Sequence, residues 1–188
     1  AAAGQVCFET NCFDLVKISE LTTPSQYIYD DPSGSFSTAL AKQYHAPKRF
    51  IDLSNPNNPG QVSANFGTAE YMQSSKGRYA VFSPLVAQRV QMIREMLGQP
   101  VTINSGFRSP SYNDATDGAA MWSRHQYGDG VDIAVPGMTP ASIESYCMDV
   151  GASYTQLYAE HIHCDWRLQP LPPEFYPANV TQTKFLQD

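Results

Sequence analysis

Residues 123–132 read SRHQYGDGVD, and they carry the strongest structural signal in the chain. His125 and Asp132 are seven residues apart, which on a helix would place both side chains on one face. Gly128 and Gly130 instead favour a turn that leads into a strand. Such a turn can bring an imidazole from the loop and a carboxylate from the strand to one point. The stretch therefore predicts two side chains that could share one ligand.

A second short segment, residues 160–165, reads EHIHCD and contains two more histidines. Side chains alternate between the two faces of a strand. His161 and His163 are therefore expected on one face, while Ile162 turns to the core. Glu160 comes just before the strand, where a bend can direct it toward the same cleft. Three of the four histidines thus fall in two short segments that each contain a carboxylate.

Two imidazoles and one carboxylate suit Zn²⁺, and a catalytic site keeps a fourth position for water. We therefore predict one zinc ion per chain, held by His125, Asp132 and His163. The metal lowers the pKa of its water from about 15.7 to about 7. Glu160 would take a proton from that water and give it to the leaving amine. His161 would stabilise the oxyanion of the tetrahedral intermediate.

Each of these residues also has an ordinary interpretation when it is taken alone. A single histidine is more often a surface or core residue than a ligand, and His45 is interpreted in that way. Asp132 alone could cap a helix or form a turn. Arg108, in the turn-rich segment 105–113 (SGFRSPSYN), could bind a carboxylate through two parallel hydrogen bonds, or could be a surface or salt-bridge residue. The joint pattern favours a metal site.

Three motifs occur together: SGFRSP at 105–110 followed by Asn113, SRHQYGDGVD at 123–132, and EHIH at 160–163. Together they resemble the zinc D-alanyl-D-alanine carboxypeptidase family, which has the hedgehog/DD-peptidase fold. The second motif is the most specific, because it fixes Ser, His, Gly and Asp together. Gly130 stands where the family usually has alanine, and we expect it to loosen the start of the strand without touching a ligand.

The resemblance extends over about residues 62–166 and includes VSANFGTAEYM at 62–72. It implies the same three zinc ligands, with Glu160 as general base and His161 assisting at the transition state. Arg108 would hold a substrate carboxylate or polarise the scissile carbonyl, and Ser123 would support the site or bind substrate. Family members act on bacterial cell-wall peptides with D-amino acids, as carboxypeptidases, cross-link endopeptidases or D,D-dipeptidases.

Composition and charge limit the partners that are expected. Twelve basic residues against eighteen acidic ones give a net charge of −6. A basic stripe suited to phosphates is missing, so nucleic acid is not an expected partner. No apolar run approaches the roughly 20 residues that span a bilayer, so we expect no membrane insertion. Peptidoglycan stem peptides are the expected partner, bound by a monomer.

The four cysteines suggest two disulfides in an oxidising compartment. Cys7 and Cys12 could close a small N-terminal loop, and Cys147 and Cys164 would then tie a helix to a strand beside the site. Four reduced thiols in a cytosolic protein are the alternative. A zinc cluster of all four is less favoured, because no C-x-x-C pair exists. We expect a secreted or periplasmic protein of the bacterial cell envelope.

Helices and short strands are expected to mix without regular alternation. Ser83-Pro84 begins a helix that Gly98 ends, and Thr139-Pro140 begins another that runs to about Val150. Short strands are predicted at 101–104, 130–135, 153–158 and 161–166, with a long functional loop at 106–124. This pattern predicts an α+β fold, with a small antiparallel sheet, helices packed around it and a zinc cleft.

A single catalytic domain is expected over residues 1–188. It would comprise a loop-rich extension at 1–60, which is rich in Pro, Ser, Asn and Tyr, a peptidase core at 62–166, and an extended surface tail at 167–188. Three functions remain open from the sequence. They are a zinc peptidase of peptidoglycan stem peptides (a carboxypeptidase or a cross-link endopeptidase), a non-catalytic zinc binding module of the hedgehog type, and a domain whose histidines bind nothing.

Overall fold

The computed structural model describes residues 4–30 and 43–177, which form a mixed α and β fold with small antiparallel sheets. The strands are β1 (Gln5–Phe8), β2 (Asn11–Lys17), β3 (Arg49–Asp52), β4 (Gln61–Ser63), β5 (Phe66–Gly67), β6 (Tyr79–Ala80), β7 (Thr102–Ser105), β8 (Gly130–Ala134), β9 (Tyr154–Leu157) and β10 (Ile162–Asp165). The helices are α1 (Thr68–Tyr71), α2 (Pro84–Leu97), α3 (Pro110–Asp114) and α4 (Pro140–Asp149). Parts of the predicted extension and tail, at 1–3, 31–42 and 178–188, lie outside the described residues.

The first sheet contains four antiparallel strands in the order β1-β2-β3-β6. Three of them come from residues 1–60, which we predicted to be a loop-rich extension, so the described part of this segment contains strands as well as loops. Its strands direct Val6, Phe8, Phe13 and Phe50 into the core, where each side chain is at most 1% exposed. Burial of these apolar side chains stabilises the strands and makes the segment part of the core.

The second sheet has the order β7-β8-β10-β9 and contains the predicted site. Its four strands confirm the four predicted ones, with ends that differ by at most one residue. In the antiparallel pairing of β8 with β10, Asp132 lies opposite His163. The pairing of β10 with β9 places Gln156 opposite His163 on the other side. The middle of this sheet therefore presents polar side chains on one face.

The predicted helix over 84–97 is confirmed as α2. Ser83 precedes it, Pro84 lies in its first turn, and Gly98 ends it in the left-handed conformation with φ of 63°. Val86, Val90 and Ile93 are fully buried. Residues 106–124 were predicted to form one long loop, but the structure has helix α3 within this segment. A 3₁₀ turn at Arg124–Gln126 begins where the loop was expected to end.

Two disulfides connect elements of the fold. Cys7–Cys12 crosses the turn between β1 and β2. Cys147–Cys164 joins α4 to β10, and Cys164 is the neighbour of His163. None of the helices in the described ranges combines the length and the apolar character that a bilayer-spanning helix requires.

The described part of the tail, residues 167–177, is partly buried, whereas we predicted an extended surface segment. The Phe175 side chain is fully buried, and its carbonyl accepts hydrogen bonds from the backbone amides of Lys48 and Arg49. The Tyr176 hydroxyl donates to the carbonyl of Tyr127, in the loop before β8. The described part of the tail therefore ties the start of β3 to the loop that leads into the site.

Candidate metal centre

Three of the predicted site residues meet at the face of the second sheet. Asp132 on β8 and His163 on β10 are cross-strand partners, and Asp132 Oδ1 lies 2.9 Å from His163 Nδ1. His125 comes from the 3₁₀ turn before β8, and its Nε2 lies 3.1 Å from the same Asp132 oxygen. One potential ligand atom from each residue lies within 4.8 Å of the others, and all three side chains are buried. The structure thus brings together the three predicted ligands.

A backbone carbonyl fixes the orientation of His125. Its Nδ1 lies 2.7 Å from the carbonyl oxygen of Gly106, which follows β7. The protonated Nδ1 therefore donates to this carbonyl, which leaves the lone pair of Nε2 facing Asp132. Gly106 can approach this closely because it has no side chain. A Cβ at that position would lie 2.1 Å from the carbonyl oxygen of Tyr71.

The resulting cluster has more acceptors than donors. The Nε2 lone pair of His125 faces an oxygen of Asp132, and both ring nitrogens of His163 face carboxylate oxygens. A neutral imidazole has only one N–H, so these contacts need additional positive charge, supplied either by protons or by a metal ion. A divalent ion with two imidazole ligands and one carboxylate ligand satisfies the set, and this donor set fits zinc.

The pKa values of the three groups have physical causes in the same contacts. Burial raises the pKa of Asp132, but its close contacts with the rings of His125 and His163 outweigh this effect and hold the pKa well below its usual range. Burial lowers the pKa of His125, which favours the neutral ring that binds metals. Burial also lowers the pKa of His163, but its bonds to Asp132 and Asp165 dominate and raise it to about 9.

Arg108 lies directly beside the cluster. Its Nη2 donates to Asp132 Oδ2 at 3.1 Å, and its Nε donates to Ser105 Oγ at 3.0 Å. Its backbone amide donates to the carbonyl of His125. Arg108 therefore binds the candidate ligand Asp132, and it also lines the adjoining cleft.

The other predicted residues differ in their distance from the cluster. His161 lines the cleft, with Nε2 3.8 Å from Asp132 Oδ2 and its ring stacked on Tyr158 at 4.6 Å. Ser123 also lines the cleft, and its hydroxyl accepts a hydrogen bond from the backbone amide of His125. Glu160 is exposed before β10 and is not among the side chains that line the cleft.

The cleft beside the cluster has a volume of about 500 Å³. Much of the cleft wall is formed by residues to which the sequence analysis assigned no role. They include Tyr44, Trp122, Tyr154, Gln156, Tyr158 and Arg167. Three of them could have been found from the alternation of side chains on β9, which directs residues 154, 156 and 158 to the face of His163.

Gly130 also touches the cluster, contrary to our expectation that its change from alanine would leave the ligands untouched. A Cβ at Gly130 would lie 3.0 Å from Cε1 of His163 and 2.9 Å from Cβ of Arg124. The missing methyl group therefore gives the His163 ring and the Arg124 side chain room to pack against the start of β8.

A buried ion pair closes the loop that carries His125. Arg124 donates through Nε and Nη2 to the two carboxylate oxygens of Asp129, at 2.7 and 2.5 Å. Its Nη1 donates to the carbonyl of Gln43, and its guanidinium lies 4.8 Å from the Tyr44 ring and 4.6 Å from the Tyr127 ring. Arg124 thereby connects the two ends of the loop and also binds the loop to Gln43 and Tyr44.

Replacement of Arg124 should destabilise the fold strongly. The variant Arg124→Met leaves the Asp129 carboxylate buried without its partner, and loss of one partner of a buried pair costs about 3–5 kcal/mol. Urea denaturation measures the free energy of unfolding. The matched control is Arg78→Met, because Arg78 forms a similar pair with Asp52 at 2.8 Å but is 43% exposed. Its loss should be much smaller. Equal losses in the two variants would contradict the structural role of Arg124.

The profile of the Peptidase M15 family matches residues 64–165, which is more than half of the 188 residues and includes every residue of the cluster. The set of curated proteins contains no match to the chain. The matched region begins directly after β4 and ends with the last residue of β10, so it spans the whole second sheet. The chain therefore belongs to the Peptidase M15 family.

Proposed function

We propose that this chain is a zinc-dependent peptidase that hydrolyses peptide bonds of D-amino acids in peptidoglycan stem peptides, with D-Ala-D-Ala carboxypeptidase as its activity. One observation carries the proposal, which is the convergence of His125, Asp132 and His163 at the wall of an open cleft. Membership of the Peptidase M15 family supports a metallopeptidase that acts on peptidoglycan. The fold that we propose is that of the hedgehog/DD-peptidase group.

The three ligand residues would hold one zinc ion. Zinc at such a site is a Lewis acid that lowers the pKa of water from about 15.7 to about 7. The chain's own residues then have to bind the peptide, orient its scissile bond and move protons. Arg108, His161 and Ser123 are in position for the first two tasks, because all three line the cleft beside the cluster.

Glu160 is the residue to which we assign proton transfer. It would accept a proton from water and give it to the leaving amine, and a positioned carboxylate contributes about 10²–10⁴-fold to such steps. Its place in the chain supports the role, since it lies just before β10 and three residues before His163. Its exposed position means that the Glu160 side chain must turn toward the cleft when substrate binds.

His161 would stabilise the negative oxygen that develops at the scissile carbonyl. The stacking of its ring on Tyr158 orients it, and its Nε2 points toward the cluster at 3.8 Å from Asp132. An N–H held in this place can donate a hydrogen bond to the oxyanion without reorganisation of solvent.

Arg108 and Ser123 would bind the peptide substrate. A guanidinium on the cleft wall can hold the terminal carboxylate of a D-Ala-D-Ala peptide through paired hydrogen bonds. One observation favours a second candidate, a cross-link endopeptidase. Arg108 already donates from Nε to Ser105 and from Nη2 to Asp132, which leaves it fewer N–H groups for a terminal carboxylate.

A non-catalytic zinc module of the hedgehog type is the third candidate. The exposed position of Glu160, outside the cleft wall, favours it over both peptidases. The presence of Glu160, His161 and Arg108 together supports the peptidase.

The location and organisation that we propose follow from the same features. Two disulfides and a family that acts on peptidoglycan support a secreted or periplasmic protein. We propose that residues 1–188 form one catalytic domain, because strands from residues 1–60 are buried in the same core as the strands of the matched region. We propose that it acts as a monomer.

The proposal predicts distinct products from defined muropeptides. A carboxypeptidase should release free D-alanine from a monomeric pentapeptide, whereas an endopeptidase should convert cross-linked dimers to monomers. Mass spectrometry of the digest with the zinc-loaded protein distinguishes the two. No cleavage of either substrate by a protein that binds zinc would favour the non-catalytic module.

Replacement of Glu160 tests its role in proton transfer. The variant Glu160→Gln removes the base but leaves the cluster intact, so turnover of muropeptides should fall by about 10²–10⁴-fold. The zinc content should remain that of the wild type. Glu95→Gln is the matched control, because Glu95 is an exposed residue on α2 outside the cleft wall. Full activity of Glu160→Gln would remove Glu160 from the mechanism.

A further inference from the structure

The side of His163 that faces away from the cluster has its own carboxylate partner. His163 Nε2 lies 3.0 Å from Asp165 Oδ2, while Nδ1 faces Asp132. His163 and Asp165 are two residues apart on β10, so their side chains share one face of the strand. Asp165 is fully buried. The imidazole is therefore held between two carboxylates, one on the metal side and one behind it.

Asp165 is in turn held by Arg167. The guanidinium donates from Nε to Oδ1 at 2.8 Å and from Nη2 to Oδ2 at 2.6 Å, and the Arg167 backbone amide donates to Oδ1 at 3.2 Å. Oδ2 is thus shared between Arg167 and His163. These contacts leave the carboxylate a single orientation, with Oδ2 directed at the imidazole.

The other side of Arg167 reaches the cleft. Its guanidinium lies 4.1 Å from the centre of the Tyr154 ring, and both side chains line the cleft wall. The Tyr154 ring also lies 6.4 Å from the His163 ring. A continuous series of contacts therefore connects the cleft wall, through Arg167 and Asp165, to the imidazole of His163.

We propose that Asp165 is a positioning residue for the metal centre and that Arg167 aligns it. Asp165 accepts the Nε2 proton of His163, which fixes the tautomer that leaves the Nδ1 lone pair for a metal ion, and it holds the plane of the ring. Carboxylates behind metal-binding histidines act in this way, and their loss commonly weakens metal binding by about 10–100-fold. This inference rests on the three ligands of the proposed function.

Stability alone is a poor reason for this arrangement. A charged pair removed from water pays a desolvation cost, and apolar residues of similar volume often stabilise a protein as well or better. The side chain of Arg167 is 29% exposed, whereas that of Asp165 is fully buried. Asp165 supplies a hydrogen-bond acceptor that faces His163 Nε2, and an apolar residue could not replace this acceptor.

Zinc affinity tests the inference without reference to activity. The dissociation constant is measured for the full chain by competition with a chromophoric chelator, at a temperature well below the melting point of each apo variant. We expect Asp165→Asn to weaken zinc binding by about 10-fold or more and Asp165→Ala by up to about 100-fold. Asp149→Asn, an exposed residue at the end of α4, is the matched control and should bind zinc as the wild type does.

Arg167→Gln is a second variant that keeps the Asp165 carboxylate but removes its alignment. We expect a weakening of zinc binding by about threefold or more, which decides the matter if Asp165→Asn does not fold. The absorption bands of the cobalt-substituted protein should also shift in both variants, because they report ligand geometry. A purely structural role would lower the melting temperature and leave these bands unchanged.

The outcomes separate this inference from the proposed function. Wild-type zinc affinity and unchanged cobalt bands in Asp165→Asn and Arg167→Gln would overturn the positioning role, even if the protein cleaves muropeptides. Weakened binding in the variants supports that role, even if the wild-type protein cleaves no muropeptide.

Discussion

The register of β8 against β10 is the constraint on which the rest of the site depends. It sets Asp132 opposite His163, and a shift by one residue would turn one of these side chains to the other face of the sheet. All four residues of β10 are buried, so such a shift would move apolar side chains out of the core. The Cys147–Cys164 disulfide further fixes β10 against α4. A register irregularity between β7 and β8 lies at Ser105, next to Asp132, where bulges commonly redirect side chains toward a site.

The third candidate ligand, His125, lies in a loop that several interactions hold in place. The Gly106 carbonyl binds the His125 ring, and the Arg124–Asp129 pair closes the turn around it. Tyr176 from the tail and Tyr29 from the N-terminal part donate to carbonyls of residues 127 and 126. Segments outside the family match therefore hold the loop of His125 in place, although none of the three candidate ligands comes from them.

Local patterns in the sequence predicted the regular elements of the core well. The pair Ser83-Pro84, the apolar spacing that follows and Gly98 indicate α2 almost to the residue, because capping and periodicity act within a few residues. The hairpin of β1 and β2 was not predicted, because its turn lacks a local pattern of this kind. Its turn residue Glu9 has a positive φ of 53° without being glycine or asparagine, so the turn has no sequence signal.

For the site, alternation along the strands predicted which face each residue occupies but gave no distances. It placed His161 and His163 together, and the structure shows that His163 lies closer to Asp132 than His161 does. The contacts of Asp165 with His163 and Arg167 were not predicted, because they depend on how the folded chain buries the Asp165 carboxylate. The contact of Arg108 with Asp132 joins motifs that lie 24 residues apart, and no local pattern reports such a pairing.

The central claim is that two imidazoles and one aspartate from three parts of the chain hold a single divalent ion. The most direct measurement is elemental analysis of the purified protein after reconstitution with Zn²⁺ near neutral pH and removal of free metal. We predict one zinc ion per chain in the wild type and a large loss in Asp132→Ala. A folded wild-type protein that retains no stoichiometric zinc would contradict the claim.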